Sequence, residues 1–535
     1  MHGTMMNVPL TIERIFERAE RVTPDLEIVS RRPDKSLHRT TYGAVAKRAR
    51  TLARALIGAG IQRGDRVATL MWNHSEHLEA YLGIPLAGAV LHTLNLRLHP
   101  DEICFIATDA QDKILIIDDV LFPLFEKFSA KAPFQKVIVV GQNLPPSIAS
   151  YESFLSGALK EVAMPELKEE DALGMCYTSG TTGKPKGVVY THKSTVLHSI
   201  VSALPDSLGL SRADTLLPVV PMFHVNAWGL PYTATMVGAK QVHPGPHLDA
   251  ESLLDLMERE KVTIGAGVPT IWMGIRQVLE ATPDRFKLQK PVRMVVGGAA
   301  APEQLIRDFD KHGLEILHAW GMTETSPIGL VSRVPPEMAG ASYEEKLKVR
   351  AKQGVPPPFV DLRVRNEQGD VPADGKTSGE VLVRGPWITG RYATLNDPSR
   401  WTHDGYFRTG DVANIDARGI VQLTDRIADL IKSGGEWIAS VELENTLMGH
   451  PAVAEAAVVG VPHEKWGERP IGVVVLKPGK TATPAELNAF LAPKFVKYSL
   501  PDAYEFVDTI PRTSAGKFKK TELRERYKSY QWKKD

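Results

Sequence analysis

Eleven residues, YTSGTTGKPKG at 177–187, gather the densest phosphate-binding chemistry in the 535-residue chain. Their glycines leave backbone N–H groups sterically open, Ser179, Thr181 and Thr182 add hydroxyl donors, and Lys184 and Lys186 add positive charge. N–H groups, hydroxyls and ammonium groups in one loop are the parts of a polyphosphate cradle. The bland alternative is an exposed hairpin rich in turn residues. Only two residues separate Gly180 from Gly183, and Pro185 follows Lys184, so the string is not GxxxxGK[ST]. No GxGxxG occurs, which argues against a dinucleotide site.

Four further strings carry reactive side chains: HAWGMTETSP (318–327), YFRTGDVANIDARG (406–419), DRIADLIKSGGEW (425–437) and PRTSAGKFKK (511–520). Taken singly they are weak. Glu324 reads as a surface carboxylate, Asp411 as the end of a turn after Gly410 and Arg426 as half of a surface ion pair. Lys517 reads as part of a basic tail, as do Lys519, Lys520 and Lys528. His224 and Trp228 in PMFHVNAW read as core residues at i and i+4 of a helix.

Together and in this order, the five strings resemble the adenylate-forming superfamily of acyl-CoA synthetases, luciferases and peptide-synthetase adenylation domains, over residues 40–520. HVNAW (224–228) with SGGEW (433–437) is most similar to medium- and long-chain fatty acyl-CoA synthetases. The same strings fit their relatives that activate short thioether acids such as 3-methylthiopropionate. The resemblance implies an ATP-dependent ligase that makes an acyl-AMP and passes the acyl group to coenzyme A. It implies an ATP/AMP site from Thr178, Ser179, Gly180, Thr181, Thr182, Gly183, Lys184 and Lys186, from Gly298, Ala299 and Ala300, and from Ala319, Trp320, Gly321 and Met322. Trp320 stands where the family usually has Tyr or Phe stacked on adenine. Thr323 would donate to the α-phosphate, and Glu324, with Thr181, would hold Mg²⁺. Asp411 would accept from both ribose hydroxyls, with Arg426 beside it. His224 would lie at the substrate carboxylate, Trp228 and Gly297 in the acyl pocket, and Lys517 would stabilise the adenylation transition state. Asp425 would be a hinge. Ser433, Gly434, Gly435, Glu436 and Trp437 would border the coenzyme A passage after the C-terminal part rotates. The chain departs from the family at Ala428, where a lysine is usual; a charged contact of one conformational state is then missing.

These residues need elements to hold them. TYGAVAKRARTLARALIGAG (41–60) predicts an amphipathic helix, and short Val/Ile runs such as GDRVATLM (64–71), KILIIDD (113–119) and KVIVVG (136–141) predict strands buried on both faces. TLLPVVPMFHV (215–225), KVTIGAGVP (261–269) and VRMVVGGAAAP (292–302) each predict a strand ending in a small-residue or proline turn, where ligands gather in open α/β sheets. Residues 353–424 predict a small antiparallel β region, and the pattern after Asp425 is compact α+β. The expected fold is α/β: a large domain of layered subdomains (1–424) and a small mobile C-terminal domain (425–535) carrying Lys517.

Composition bounds the partners. A net charge of +1 argues against a dedicated nucleic-acid binder. Two cysteines, Cys104 and Cys176, argue against a disulfide scaffold or zinc site. No apolar run reaches the roughly 18 residues of a membrane span. A cytoplasmic enzyme is the expectation, with a homodimer implied by the resemblance. Competing expectations are a short- or thioether-acid CoA ligase, a ligase that loads a carrier protein or stops at acyl-AMP, a luciferase-like oxidation, and an inactive nucleotide-binding protein.

Overall fold

Runs of Val, Ile and Leu flanked by helices become parallel strands covered on both faces. The computed structural model describes residues 3–143, 145, 148–178, 185–434, 436–513 and 517–532. Among these, the strands form four sheets. The first runs Ala149–Ser150, Lys136–Val140, Asp112–Asp118, Arg66–Leu70, Val90–Thr93, Ala172–Tyr177, Gly187–Thr191. All its pairings are parallel except the last, whose connection is the glycine-rich loop.

The second sheet runs Ile328–Val331, Leu314–Gly321, Val292–Val296, Ile264–Gly267, Thr215–Pro218, Lys240–His243, Glu27–Arg31, Leu37–Thr41, parallel inside and antiparallel at both edges. The helices Tyr42–Gly58 and Ser75–Leu86 pack closely because Gly83 has no side chain; a Cβ there would lie 2.6 Å from the carbonyl oxygen of Ala49. Every residue of Ser75–Leu86 is buried, which suits a helix between two layers.

Residues 361–426 form the expected antiparallel sheet, ending in Phe407–Ile415 beside Val421–Arg426. The last sheet holds Glu436–Ile438, Ile431–Ser433, Gly467–Leu476 and Val453–His463, with Ala503–Phe506 parallel to Gly467–Leu476. The strand Val421–Arg426 runs across position 424/425, and the Asp425 carboxylate accepts from the backbone N–H and hydroxyl of Ser440, at the start of the helix Ser440–Leu447.

The structure corrects two local expectations. The strand expected over 215–225 stops at Pro218, because the Asn73 side chain captures the backbone beyond it. Its amide donates to the carbonyls of Pro218 (2.8 Å) and Val220 (3.0 Å) and accepts from Met222 N–H (2.7 Å). Nor do His224 and Trp228 share a right-handed helix. Val225, Asn226, Ala227 and Trp228 have φ of 46°, 51°, 48° and 59°, a left-handed turn closed by Gly229. Such backbone costs about 1–2 kcal/mol per residue, so it persists only where the surroundings enforce it.

Candidate active site

The carboxyl ends of Val292–Val296 and Leu314–Gly321 face the antiparallel sheet and the segment around Lys517 across a cleft of about 740 Å³. Thr178, Lys186, His224, Trp228, Gly297, Gly298, Ala299, Ala300, Ala319, Trp320, Gly321, Met322, Thr323, Glu324, Asp411, Asp425, Arg426, Ala428 and Lys517 all line it. Residues nearly 340 positions apart in the chain thus share one cavity. Ser179, Gly180, Thr181, Thr182, Gly183, Lys184 and Gly435 lie outside the described residues.

The base of the glycine-rich loop is closed by its own backbone. Thr178 N–H donates to the Lys186 carbonyl (2.9 Å), and the Thr178 hydroxyl accepts from Lys186 N–H (3.1 Å). The Lys186 ammonium lies 3.3 Å from Asp397 and 4.9 Å above the Tyr392 ring. That phenol donates to Glu324 Oε1 at 2.8 Å. A charged lysine, an aromatic ring and a buried carboxylate therefore form one wall.

Below Glu324, the backbone is clamped from both sides. Ile328 N–H donates to His198 Nε2 (3.3 Å), and the Ile328 carbonyl accepts from the Trp387 indole (3.0 Å). Burial pulls the His198 pKa down to about 3, so its ring is neutral and can accept. Tyr190 fixes the preceding turn by donating to the Thr323 carbonyl at 2.9 Å.

Asp411 and Arg426 face each other as register partners in adjacent strands. Arg426 Nε donates to Asp411 Oδ1 (3.1 Å), and the Trp320 indole N–H donates to Asp411 Oδ2 (2.8 Å). The wide indole fits because residue 329 is glycine: a Cβ there would stand 2.5 Å from the Trp320 ring.

The Lys517 side chain lies along Gly298, whose φ is +84° and whose hypothetical Cβ would be 3.6 Å from Lys517 Cε. Burial, helped by Arg426, pulls the Lys517 pKa down to about 8 against the opposing pull of Asp411 and Glu324. His224 is brought to about 4 by burial and then by Lys517, so its imidazole is neutral at pH 7. Trp228 is buried and packs across Gly297, where an added Cβ would sit 3.1 Å from the ring.

The hairpin Ile431–Ser433/Glu436–Ile438 stands apart; Ser433, Gly434, Glu436 and Trp437 do not line the cleft. Ser433 is buried and its hydroxyl accepts from Arg469 (2.9 Å). Gly434 has φ +60° with Trp466 packed against it, and Trp437 is exposed under the Lys432 ammonium at 5.4 Å.

Lys520 overturns the reading of a solvated tail. It is buried, with its ammonium 2.7 Å from Glu444 and donating to the Ser440 hydroxyl at 2.6 Å. Tyr392, Arg400 and Gln353 also line the cleft and were not expected. No sequence signal separates Tyr392 from the chain's other tyrosines.

Among the described residues, no cluster of three or more His, Cys, Asp or Glu could hold a metal ion. Mg²⁺ takes one or two carboxylates plus substrate phosphates, and Glu324 is a buried carboxylate joined through Tyr392 to Lys186 at the base of the glycine-rich segment. Glu324, oriented by Tyr392, fits that role.

Residues 16–393 match the AMP-binding enzyme family, and residues 442–517 match the AMP-binding enzyme C-terminal domain. The chain belongs to the AMP-binding enzymes. It is 51% identical to a long-chain-fatty-acid–CoA ligase of Thermus thermophilus over 99% of this chain and 97% of that one. It is 42% identical to a 3-methylmercaptopropionyl-CoA ligase of Ruegeria pomeroyi over 99% of each chain. Among solved structures, an anthranilate CoA ligase in complex with anthranoyl-AMP superposes with a TM-score of 0.87 at 26% identity, over 99% of each chain. Among the described residues, no helix of this AMP-binding enzyme is long and apolar enough to cross a membrane.

Proposed function

We propose that this AMP-binding enzyme joins a carboxylic acid to coenzyme A in two half-reactions. The observation that carries the reading is the convergence of Lys517, Glu324, the Asp411–Arg426 pair and Trp228 on one cleft. In the first half-reaction, a carboxylate oxygen attacks the α-phosphorus of ATP, giving acyl-AMP and pyrophosphate. The Lys517 ammonium bridges carboxylate and α-phosphate and offsets their repulsion as charge develops. Thr323 donates to the α-phosphate, Lys186 faces the outer phosphates, and Trp320 stacks on adenine above the ribose held by Asp411 and Arg426. Neutral His224 orients the acid through its N–H. Mg²⁺, held by Glu324 and, with it, Thr181, supplies charge neutralisation on the phosphate oxygens when bound.

In the second half-reaction the thiolate of coenzyme A attacks the acyl carbonyl and AMP leaves. Lys517 then has no role. Residues 426–535 rotate about Asp425, withdrawing Lys517 and bringing Ser433, Gly434, Gly435, Glu436 and Trp437 to the pantetheine path. That this hairpin lies away from the cleft while Lys517 lies in it supports an arrangement poised for adenylation. The acid we propose is a medium- to long-chain fatty acid. Identity to the long-chain ligase (51%) exceeds that to the thioether-acid ligase (42%), and Val225, Trp228, Val295 and Ile328 make one end of the cleft apolar. A short thioether acid is the second reading.

The test is AMP release with ATP, Mg²⁺ and coenzyme A across straight-chain acids from acetate to palmitate, plus 3-methylthiopropionate. A maximum at medium or long chains is expected. A maximum at the thioether acid replaces the substrate and keeps the mechanism. Pyrophosphate exchange without coenzyme A-dependent AMP release contradicts the acceptor.

A further inference from the structure

Trp320 is an unusual choice for a surface meant only to stack on a base. Phe or Tyr offers a flat face in less space, and this chain accommodates the indole by leaving residue 329 without a side chain. What the indole adds is a ring N–H at the edge facing Asp411, 2.8 Å from Oδ2.

We propose that Trp320 sets the enzyme's selectivity for a nucleotide carrying both ribose hydroxyls, by fixing the carboxylate that reads them. The inference rests on the reading that Asp411 accepts the ribose hydroxyls. The Asp411 side chain is buried, and each oxygen already receives one donor: Oδ2 the Trp320 indole, Oδ1 the Arg426 guanidinium at 3.1 Å. Two donors on opposite oxygens fix the plane of the carboxylate as well as its position. A carboxylate oxygen accepts about two hydrogen bonds, so one lone pair stays open on each oxygen. Two open lone pairs at a fixed spacing match the vicinal 2′- and 3′-hydroxyls of a ribose. Without the indole N–H only Arg426 holds the carboxylate, and the group can turn to satisfy a sugar with one hydroxyl. A Phe ring keeps the stacking face and removes the donor, so the two roles of Trp320 are separable.

The experiment compares kcat/KM for ATP, 2′-deoxy-ATP and 3′-deoxy-ATP in acid-dependent pyrophosphate exchange, for the wild type, Trp320→Phe and Gly329→Ala. Trp320→Phe is expected to narrow the preference for ATP over each deoxy nucleotide by about tenfold, the scale of one hydrogen bond to a charged group. KM for ATP should rise more than kcat falls. Gly329→Ala keeps the N–H but pushes the ring from its seat, so it should narrow the preference in the same direction; it also serves if Trp320→Phe does not fold. An unchanged ratio with KM raised equally for all three nucleotides means that Trp320 only stacks, and overturns the inference while leaving the functional reading intact. No exchange by the wild type with any nucleotide overturns that reading, and the inference with it.

Discussion

Lys520 and Glu444 form the most consequential buried pair in the C-terminal part. The Lys520 ammonium lies 2.7 Å from Glu444 and also meets the Ser440 hydroxyl, which donates to Asp425. Burial works against the Lys520 charge, but Glu444, Asp425 and Asp429 outweigh it and hold its pKa above the ordinary value. Burial raises the Glu444 carboxyl to about 7 even with Lys520 opposing. Lys520→Met leaves that carboxyl with the Val458 N–H alone, at 2.7 Å. Removing one partner of a buried pair costs about 3–5 kcal/mol, because the other charge stays uncompensated. Lys520→Met/Glu444→Gln removes both charges of the pair and should cost less than the sum of the single changes, with a coupling of at least about 2 kcal/mol. The sign with pH follows from the raised carboxyl pKa. A group that binds its proton more tightly folded than unfolded adds stability as pH falls, so the Lys520→Met loss should be smaller at pH 6 than at pH 9. Denaturant unfolding of the four proteins at both pH values is the assay. Additive losses, or a single-mutant loss below about 1 kcal/mol, would mean that Lys520 and Glu444 are not a coupled buried pair.

Two other outcomes follow from the cleft. With its pKa near 8, Lys517 in the free enzyme is about nine-tenths protonated at pH 7 and about one-tenth at pH 9, so kcat/KM for pyrophosphate exchange should fall roughly tenfold over that interval. The limb in kcat should lie at higher pH, because bound ATP favours the ammonium; a flat kcat/KM from pH 7 to 9.5 contradicts Lys517 acting as a cation. Gly297→Val puts methyl groups where the Trp228 ring lies, since even a Cβ comes within 3.1 Å. The measured KM for the acid should rise at least tenfold with little change in KM for ATP, and equal changes in both would remove Trp228 from the acyl pocket.

Much of this was legible in the chain. Val/Ile runs between amphipathic helices foretold the parallel sheets, because strands buried on both faces cannot alternate. Motif order gathered Lys517, Glu324 and Asp411 before any contact was visible. What stayed hidden depends on long-range partners. The left-handed turn at Val225–Trp228 has one residue that favours it, Asn226, but Val225, Ala227 and Trp228 do not, and it follows a loop clamped by Asn73, some 150 positions earlier. Lys520 reads as one basic residue among several until Glu444 and Ser440 fold against it. Tyr392 stands out only through its long-range contacts with Glu324 and Lys186, and the Trp320–Asp411 bond joins two strings that the sequence offers separately.

We propose that Lys517 serves adenylation and leaves before thioester formation. The most direct measurement takes Lys517→Ala and follows each half-reaction alone: pyrophosphate exchange with ATP and a fatty acid, and acyl-CoA formation from added acyl-AMP and coenzyme A. Exchange should fall by about a thousandfold or more, with thioester formation within a fewfold of the wild type. Equal loss of both half-reactions would contradict it.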